Sequence, residues 1–163
     1  MKKIFFFIAA LTLSFAAQAA VHTCTPAANS LSWCLTQADT LILTDGVYEE
    51  AYTISIEKPG VLIKAAEGAK PVIKLTGEWT SLQLYATITF DGITVDGTGV
   101  CYYPISAFGS DAGTYTFKNC EFTGWTYWAI SNHYESNTHV DNVLIENCIF
   151  HDAAGSAVYF NDD

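Results

Sequence analysis

The sequence predicts an all-β chain folded as a parallel β-helix of about four to five coils. Three observations support this prediction. A seven-residue pattern occurs four times, at spacings of 27, 27 and 28 residues. Apolar and polar residues alternate within the copies, which are rich in β-branched and aromatic residues, and both properties are typical of strands. The charges predicted to face outward alternate in sign from copy to copy, which favours stacking of the copies.

The four copies begin at Leu62, Thr89, Thr116 and Leu144. Their second position is always a large apolar residue, predicted to face the interior: Ile63, Phe90, Phe117 and Ile145. Their seventh position is predicted to face the same way: Gly68, Val95, Phe122 and Phe150. Between these two positions the pattern predicts a corner joining two short strands, at Ala65, Gly92, Asn119 and Asn147.

The third position of the copies predicts a structural ladder on the outer face, formed by Lys64, Asp91, Lys118 and Glu146. Opposite charges on neighbouring strands contribute roughly 0.2 to 1 kcal/mol per pair. Asn119 and Asn147 are predicted to extend this ladder at the corner, where side-chain amides of successive coils can hydrogen-bond to one another. These six residues are therefore assigned structural roles.

Residues 1–19 have the features of a secretory signal peptide. Lys2 and Lys3 precede an apolar segment at 4–15, and small residues at 17–19 form a cleavage site. The apolar segment is too short to span a bilayer, and no later segment is long and apolar enough. We therefore expect an exported bacterial protein, located in the periplasm, at the cell surface or outside the cell.

Residues 20–39 are predicted to form an N-terminal cap. Cys24 and Cys34 lie close together within it, and in an oxidising compartment a disulfide between them would hold the cap in place. Cys120 and Cys148 occupy the inward fifth position of the repeat, where each is either a buried thiol or half of a disulfide between coils. Cys101 is either free or buried. The cysteine and histidine spacings match no zinc motif, so no metal site is predicted.

Residues 40–163 are predicted to form the β-helix domain. Its first strand is expected at 40–43, followed by a turn at 45–48 and a second strand at 52–56. Further sides of the coils are expected at 70–75, 81–85, 105–108, 129–132 and 157–160, with Ile130 stacked beside Val158. The chain stops directly after the last of these. We therefore expect a truncated solenoid whose open last coil either continues in a longer protein or docks on a partner.

The charge of the chain restricts its partners. The formal net charge is −10, and all seven basic residues are lysines. A chain this acidic repels phosphate groups, so the composition excludes a nucleic-acid partner. An acidic polysaccharide could approach only as a neutral stretch or with a bridging cation such as Ca²⁺.

Aromatic residues form the best candidate contact surface, because sugar rings present apolar C–H faces that stack on aromatic planes. We therefore expect a polysaccharide or oligosaccharide partner. The candidate contact residues are Trp125, Tyr127, Trp128, His133 and Tyr134. Tyr102 and Tyr103 are expected to lie near them. The alternative is that some of these rings, Trp128 first among them, face the core or pack under a loop.

Two histidine-containing stretches are candidates for proton transfer. His133, Glu135, His139 and Asp141 share one polar loop, and His151 is followed directly by Asp152. A histidine beside a carboxylate titrates near neutral pH and can move protons. The alternative is that these are solvated surface residues without a chemical role.

A resemblance to a known family is carried by four segments: DTLILTDGVY at 39–48, YTISI at 52–56, GVLIKA at 60–65 and KPVI at 70–73. Together they resemble the opening of the chondroitinase-B-like and alginate-lyase-like proteins of polysaccharide lyase family 6, and of related β-helix proteins exported by Bacteroidetes. The segments NCEF at 119–122 and NCIF at 147–150 are similar to the coil motif of the pectin-lyase-like superfamily. The resemblance implies right-handed coils.

The resemblance also implies β-elimination on a uronate-containing polysaccharide, with a Lys base, an Arg, and Ca²⁺ held by Asn and Glu side chains. No Arg occurs and no such cluster maps onto this chain, so we assign no catalytic residue. No cofactor is evident from the residues, and Ca²⁺ is implied by the resemblance alone. We expect the N-terminal part of a lyase-like protein, inactive alone. The alternative is a non-catalytic surface or carbohydrate-binding module.

Overall fold

The computed structural model describes residues 20–108, 113–132 and 140–161. The predicted signal peptide at 1–19 lies outside them. The described residues of the cap form β1 (Val21–Cys24) and α1 (Ser30–Leu35). The described residues of the coils form the following strands: β2 (Thr40–Leu43), β3 (Gly46–Glu50), β4 (Ile54–Ile56), β5 (Val61–Ala65), β6 (Pro71–Leu75), β7 (Leu82–Leu84), β8 (Ile88–Asp91), β9 (Thr94–Asp96), β10 (Ile105–Ala107), β11 (Gly113–Lys118), β12 (Glu121–Thr123), β13 (Trp128–Asn132), β14 (Val140–Glu146), β15 (Ile149–His151) and β16 (Ser156–Tyr159).

The strands form three parallel sheets, and each coil gives one strand to each sheet. The first sheet has the order β1-β2-β5-β8-β11-β14. The second has the order β3-β6-β9-β12-β15, and the third β4-β7-β10-β13-β16. The chain therefore winds as a parallel β-helix of about four turns, as predicted.

The interior of the first sheet is the predicted apolar column. Ile63 pairs with Phe90, Phe90 with Phe117, and Phe117 with Ile145. Leu41 of β2 extends the column by one coil. The rings of Phe90 and Phe117 stack with centroids 5.5 Å apart and planes 11° from parallel. Full burial of one such side chain contributes about 1.5 to 3 kcal/mol.

The second sheet corrects two of the predictions. Val95 pairs with Ile73 and not with Gly68, because residues 66–70 add a longer turn between β5 and β6. The later coils turn this corner in two residues, which is why the repeat continues there without interruption. The turn predicted at 45–48 is also wrong, since Gly46–Glu50 is a strand. Tyr48 in this strand is buried, and its hydroxyl donates to the carbonyl of Cys24 at 2.7 Å.

In the third sheet the apolar column is formed by Ile54, Leu82, Ile105, Ile130 and Val158, which includes the predicted pair Ile130 and Val158. The first four are buried, whereas Val158 in the last described coil is 40% exposed. In that coil the inward residues Ile145 and Phe150 are also only partly buried. Within the described residues, the core is therefore closed at the cap and open at β14, β15 and β16.

The cap closes the other end. The predicted disulfide between Cys24 and Cys34 is present and joins β1 to α1. Glu50 is buried beside it and accepts a hydrogen bond from the backbone N–H of Leu31 at 2.8 Å. Cys101 and Cys120 are free and buried, and Cys148 is free and partly buried. At six residues, α1 is too short to cross a bilayer, and the described part of the chain contains no longer helix that could.

The corner between the first and second sheets contains the predicted ladder residues. Gly92, Asn119 and Asn147 occupy equivalent positions with φ angles of 72°, 54° and 53°. Asn147 donates to the side-chain oxygen of Asn119 at 3.4 Å, and Asn119 donates to Asp91 at 2.8 Å. Next to the corner, Lys64, Asp91, Lys118 and Glu146 share one register column, and Lys118 lies 3.3 Å from Glu146.

Candidate functional site

An exposed stripe of aromatic side chains follows the corner between the second and third sheets. Five loops turn this corner, one in each coil: 51–53, 76–81, 97–104, 124–127 and 152–155. We define the aromatic stripe as six residues that are joined by ring contacts, from these loops and the strands that follow: Trp79, Tyr102, Tyr103, Tyr127, Trp128 and Tyr159. The stripe crosses four coils, so it runs along the solenoid.

Ring contacts hold the stripe together from coil to coil. The Tyr102 ring lies between Trp79 and Tyr127, edge-on to both, with centroids 4.8 and 5.0 Å away. Tyr103 lies 5.3 Å from Trp128, which stacks on Tyr159 at 4.1 Å. Edge-to-face and offset aromatic pairs each contribute about 0.5 to 1.5 kcal/mol beyond their buried area. These contacts therefore hold the rings in fixed positions before any ligand binds.

The stripe has an exposed layer and a supporting layer. Trp79 is 65% exposed and Tyr127 is 51% exposed, while Tyr102, Tyr103 and Trp128 are partly buried beneath and between them. Tyr52, in the corner loop of the first coil, is 72% exposed and lies beside Thr53, whose hydroxyl donates to the carbonyl of Trp79. The coils thus present apolar ring surface to solvent at intervals along one corner.

Backbone hydrogen bonds between the loops fix the positions of the rings. The N–H of Tyr102 donates to the carbonyl of Glu78 at 2.8 Å. The N–H groups of Tyr127 and Trp128 donate to the carbonyl of Tyr102 at 3.3 and 3.2 Å. In the next coil, Gly155 lies so close under Tyr127 that a Cβ there would clash with the Tyr127 carbonyl. Each loop is therefore stacked on its neighbour.

One carboxylate lies inside the stripe. The hydroxyl of Tyr102 hydrogen-bonds to the side chain of Glu78, and this bond is the largest cause of the raised pKa of Tyr102. Burial raises the pKa of Tyr103, and the neighbouring Tyr127 adds to that effect. The tyrosines therefore stay protonated at neutral pH and offer hydroxyl groups at the edge of the apolar surface.

Two of the predicted contact residues, Tyr127 and Trp128, belong to the stripe, but Trp125 does not. Trp125 is 3% exposed, packs edge-on against Phe150, and donates its indole N–H to the carbonyl of Ser156 at 2.9 Å. The prediction of Trp125 as a contact residue is therefore wrong, because its ring faces the core. Trp128, for which the alternative was a core-facing ring, is partly exposed. The predicted residues His133 and Tyr134 lie outside the described residues, as does most of their loop.

Three exposed rings were missed by the sequence analysis: Tyr52, Trp79 and Tyr159. Trp79 lies in a loop whose length differs from the loops of the other coils, so no fixed spacing marks it. The signal that would have found it is the alignment of the corner loops, since each of the first four contains an exposed or half-exposed aromatic residue.

A second cluster links the last two described coils. The ring of His151 on β15 lies between two carboxylates, with Nδ1 2.7 Å from Asp152 and Nε2 2.8 Å from Glu121 on β12. These hydrogen bonds raise the pKa of His151, that to Asp152 most. A shallow cavity of about 260 Å³ adjoins it. Both ring nitrogens are engaged, so the geometry is that of a link between coils and not of a free base.

A larger groove of about 440 Å³ lies between α1 and β4. Its walls are formed by small polar and aliphatic residues such as Leu35, Thr53 and Ser55, with Glu57 and Lys58 among them. No aromatic ring lines it. The groove therefore lacks the flat apolar surfaces on which a sugar ring would stack.

One group in the described residues has the composition of a metal site. Ligand atoms of His22, Cys24 and Cys34 lie within 4.8 Å of one another. The two cysteines are joined as a disulfide, however, and a soft metal ion binds the thiolate form. This group is thus part of the cap and offers no open coordination site in its oxidised form.

Neither protein-family models nor curated proteins give a match to this chain. Because one fold can host many functions, the residues of the site are the basis for inferring function.

Proposed function

We propose that this chain is an exported, non-catalytic carbohydrate-binding β-helix protein, with the aromatic stripe as its contact surface. The observation that supports the proposal is the stripe itself: apolar rings in successive coils, partly exposed, and fixed by one another. Rigid aromatic side chains give large contact area at low entropic cost, and polar groups at their edges orient a ligand. The hydroxyl groups of Tyr102 and Tyr127, together with Glu78, are suited to hydrogen-bond sugar hydroxyls.

The proposed location outside the cytoplasm is supported by the features of residues 1–19 and by the disulfide in the cap.

A lyase acting on uronate-containing polysaccharide, as the family resemblance implies, is the second candidate. Only the resemblance favours it. The chain has no Arg, and Lys118 is engaged with Glu146, which leaves it poorly placed as a base.

Binding of glycans by the purified chain tests the first proposal. We expect addition of a soluble polysaccharide to change the tryptophan fluorescence, because Trp79 is exposed in the stripe. Calorimetry, which does not depend on the Trp79 signal, should show an affinity for the polysaccharide at least tenfold lower in Trp79→Ala than in the unsubstituted chain. Trp33→Ala is the matched control, since Trp33 on α1 is 57% exposed but contacts only His22 among the aromatic residues described.

Ultraviolet absorbance of unsaturated products separates the two candidates. The purified chain is incubated with chondroitin or alginate in the presence of Ca²⁺, and we expect no rise in absorbance. Accumulation of unsaturated products would replace the binding proposal with the lyase. Equal loss of glycan affinity in Trp33→Ala and Trp79→Ala would show that the stripe is not the binding surface.

A further inference from the structure

The corner loops that form the stripe contain no basic side chain. Loops 51–53, 76–81, 97–104, 124–127 and 152–155 include no Lys, Arg or His, but they include the carboxylates Glu78 and Asp152. An acidic sugar placed along this corner would find no counter-ion in the loops and would lie beside the carboxylate of Glu78, whereas Asp152 is already paired with His151. Like charges at short range oppose binding.

The spacing of the rings is set by the fold. Neighbouring strands in a sheet lie about 4.8 Å apart, so Trp79 and Tyr127, which lie two coils apart, are separated along the solenoid by about 10 Å. Tyr52 and Tyr159 lie in the first and last described coils, so the rings extend over about 19 Å. One pyranose ring in an extended glycan has a length close to the spacing of the coils. An extended chain parallel to the solenoid would thus place sugars at intervals that match the rings.

The shape of the corner also disfavours a compact ligand. The stripe lies on a convex edge between two sheets and not in an enclosed pocket. The most exposed rings at this corner, Trp79 and Tyr127 of the stripe and Tyr52 in the first coil, are distributed along it. A single sugar could contact one of these rings at a time. A linear chain contacts all of them, and the contacts add up without each being strong.

We infer that the aromatic stripe binds an uncharged polysaccharide as an extended chain aligned with the solenoid axis. This inference rests on the proposed function and names the class and orientation of the ligand. The exposed rings stack on successive sugars, and Tyr102, Tyr103 and Trp128 hold them in position. Carboxylated sugars would meet Glu78.

Titration of the purified full chain with oligosaccharides of defined length tests this inference. The probes are uncharged β-1,4-linked oligomers of glucose, mannose and N-acetylglucosamine, oligogalacturonate with and without Ca²⁺, and an oligolysine peptide. We expect the affinity for an uncharged oligomer to rise with each added sugar and to level off near the number of coils. Oligogalacturonate should bind at least tenfold more weakly, with or without Ca²⁺.

Two variants test the orientation. In Trp79→Ala and in Tyr127→Ala the affinity for the longest oligomer should fall at least tenfold, and that for the shortest much less. Trp33→Ala should leave the whole length series unchanged. Far-ultraviolet circular dichroism and the urea midpoint of each variant verify that the fold is retained.

The possible failures are distinguishable. If oligogalacturonate binds most tightly and Trp79→Ala abolishes that binding, glycan binding stands but the uncharged class is wrong. If affinity is independent of oligomer length, the axial orientation is wrong. If only oligolysine binds at the stripe, the ligand is a cationic peptide, and both the inference and the proposed function fail.

Discussion

Asparagine at a corner of this solenoid performs two tasks at once. The corner requires a left-handed backbone, which costs most residues roughly 1 to 2 kcal/mol but which Gly and Asn tolerate. Gly92 meets only the backbone requirement. Asn119 meets it too, and in addition its side chain donates to Asp91 in one neighbouring coil and accepts from Asn147 in the other. Asn119 therefore lowers the conformational cost of the left-handed corner and links three coils through hydrogen bonds.

Substitution at Asn119 separates these two tasks. Asn119→Ala loses both and should lower the free energy of unfolding by about 1 to 3 kcal/mol, whereas Asn119→Gly keeps the backbone conformation and should lose about 0.5 to 1.5 kcal/mol. Urea denaturation of both variants measures the difference. If Gly proved at least as destabilising as Ala, the left-handed backbone would not be the source of the cost.

At the scale of strands and turns, the accuracy of prediction depended on the length of the turn. Strands β5, β8, β11 and β14 of the first sheet could be predicted with their register, because each inward position repeats at a nearly fixed spacing and alternation distinguishes the two faces. The pairing of Ile73 with Val95 could not be predicted, because the longer turn at 66–70 interrupts the fixed spacing. The orientation of Trp125 was not predictable either, because a corner loop has no alternation that separates inward from outward side chains.

The candidate site could also be predicted only in part. Tyr127 and Trp128 were predicted because they belong to a local cluster of aromatic residues. Their partners Trp79 and Tyr159 come from other coils. These ring contacts between coils join residues 23 to 31 positions apart, in loops of unequal length, so the stripe exists only once the coils are stacked.

The link between β12 and β15 predicts a dependence of stability on pH. The pKa of His151 is raised in the folded state, so its contribution is complete below the pKa of an unfolded histidine, near 6.5, and is lost as the pH rises through the raised value. Replacement by Gln should therefore lower the urea midpoint more at pH 6 than at pH 8.5. Glu121→Gln, which removes one of the two carboxylate partners, should show the same trend in weaker form. An equal effect of His151→Gln at both pH values would mean that its charge does not matter.

Over the whole molecule, stability is distributed along the axis. In a solenoid each coil contacts only its neighbours, so stability is approximately a sum of coil terms and interfaces between coils. The central coils have such an interface on both sides, and the first coil has the cap. Among the described residues, the strands of the last coil pair on one side only and leave Ile145, Phe150 and Val158 partly exposed.

Amide hydrogen exchange should follow this gradient. We expect the slowest exchange in β5, β8 and β11 of the first sheet, because they lie between paired strands, and faster exchange in β14, β15 and β16. Mass spectrometry of peptides from the exchanged chain measures it. Uniform protection from β2 to β16 would indicate that the solenoid opens only as a unit, or that the last coil is covered in solution.

The burial of two thiols inside the stacked coils has a consequence for oxidative folding. Burial raises the pKa values of Cys101 and Cys120 to about 12, so neither forms the thiolate that attacks a disulfide. Once the coils have wound, these two thiols are therefore poor attackers of the Cys24–Cys34 bond. Cys148 is free and only partly buried, and it is the thiol that an alkylating reagent should reach first in the native protein.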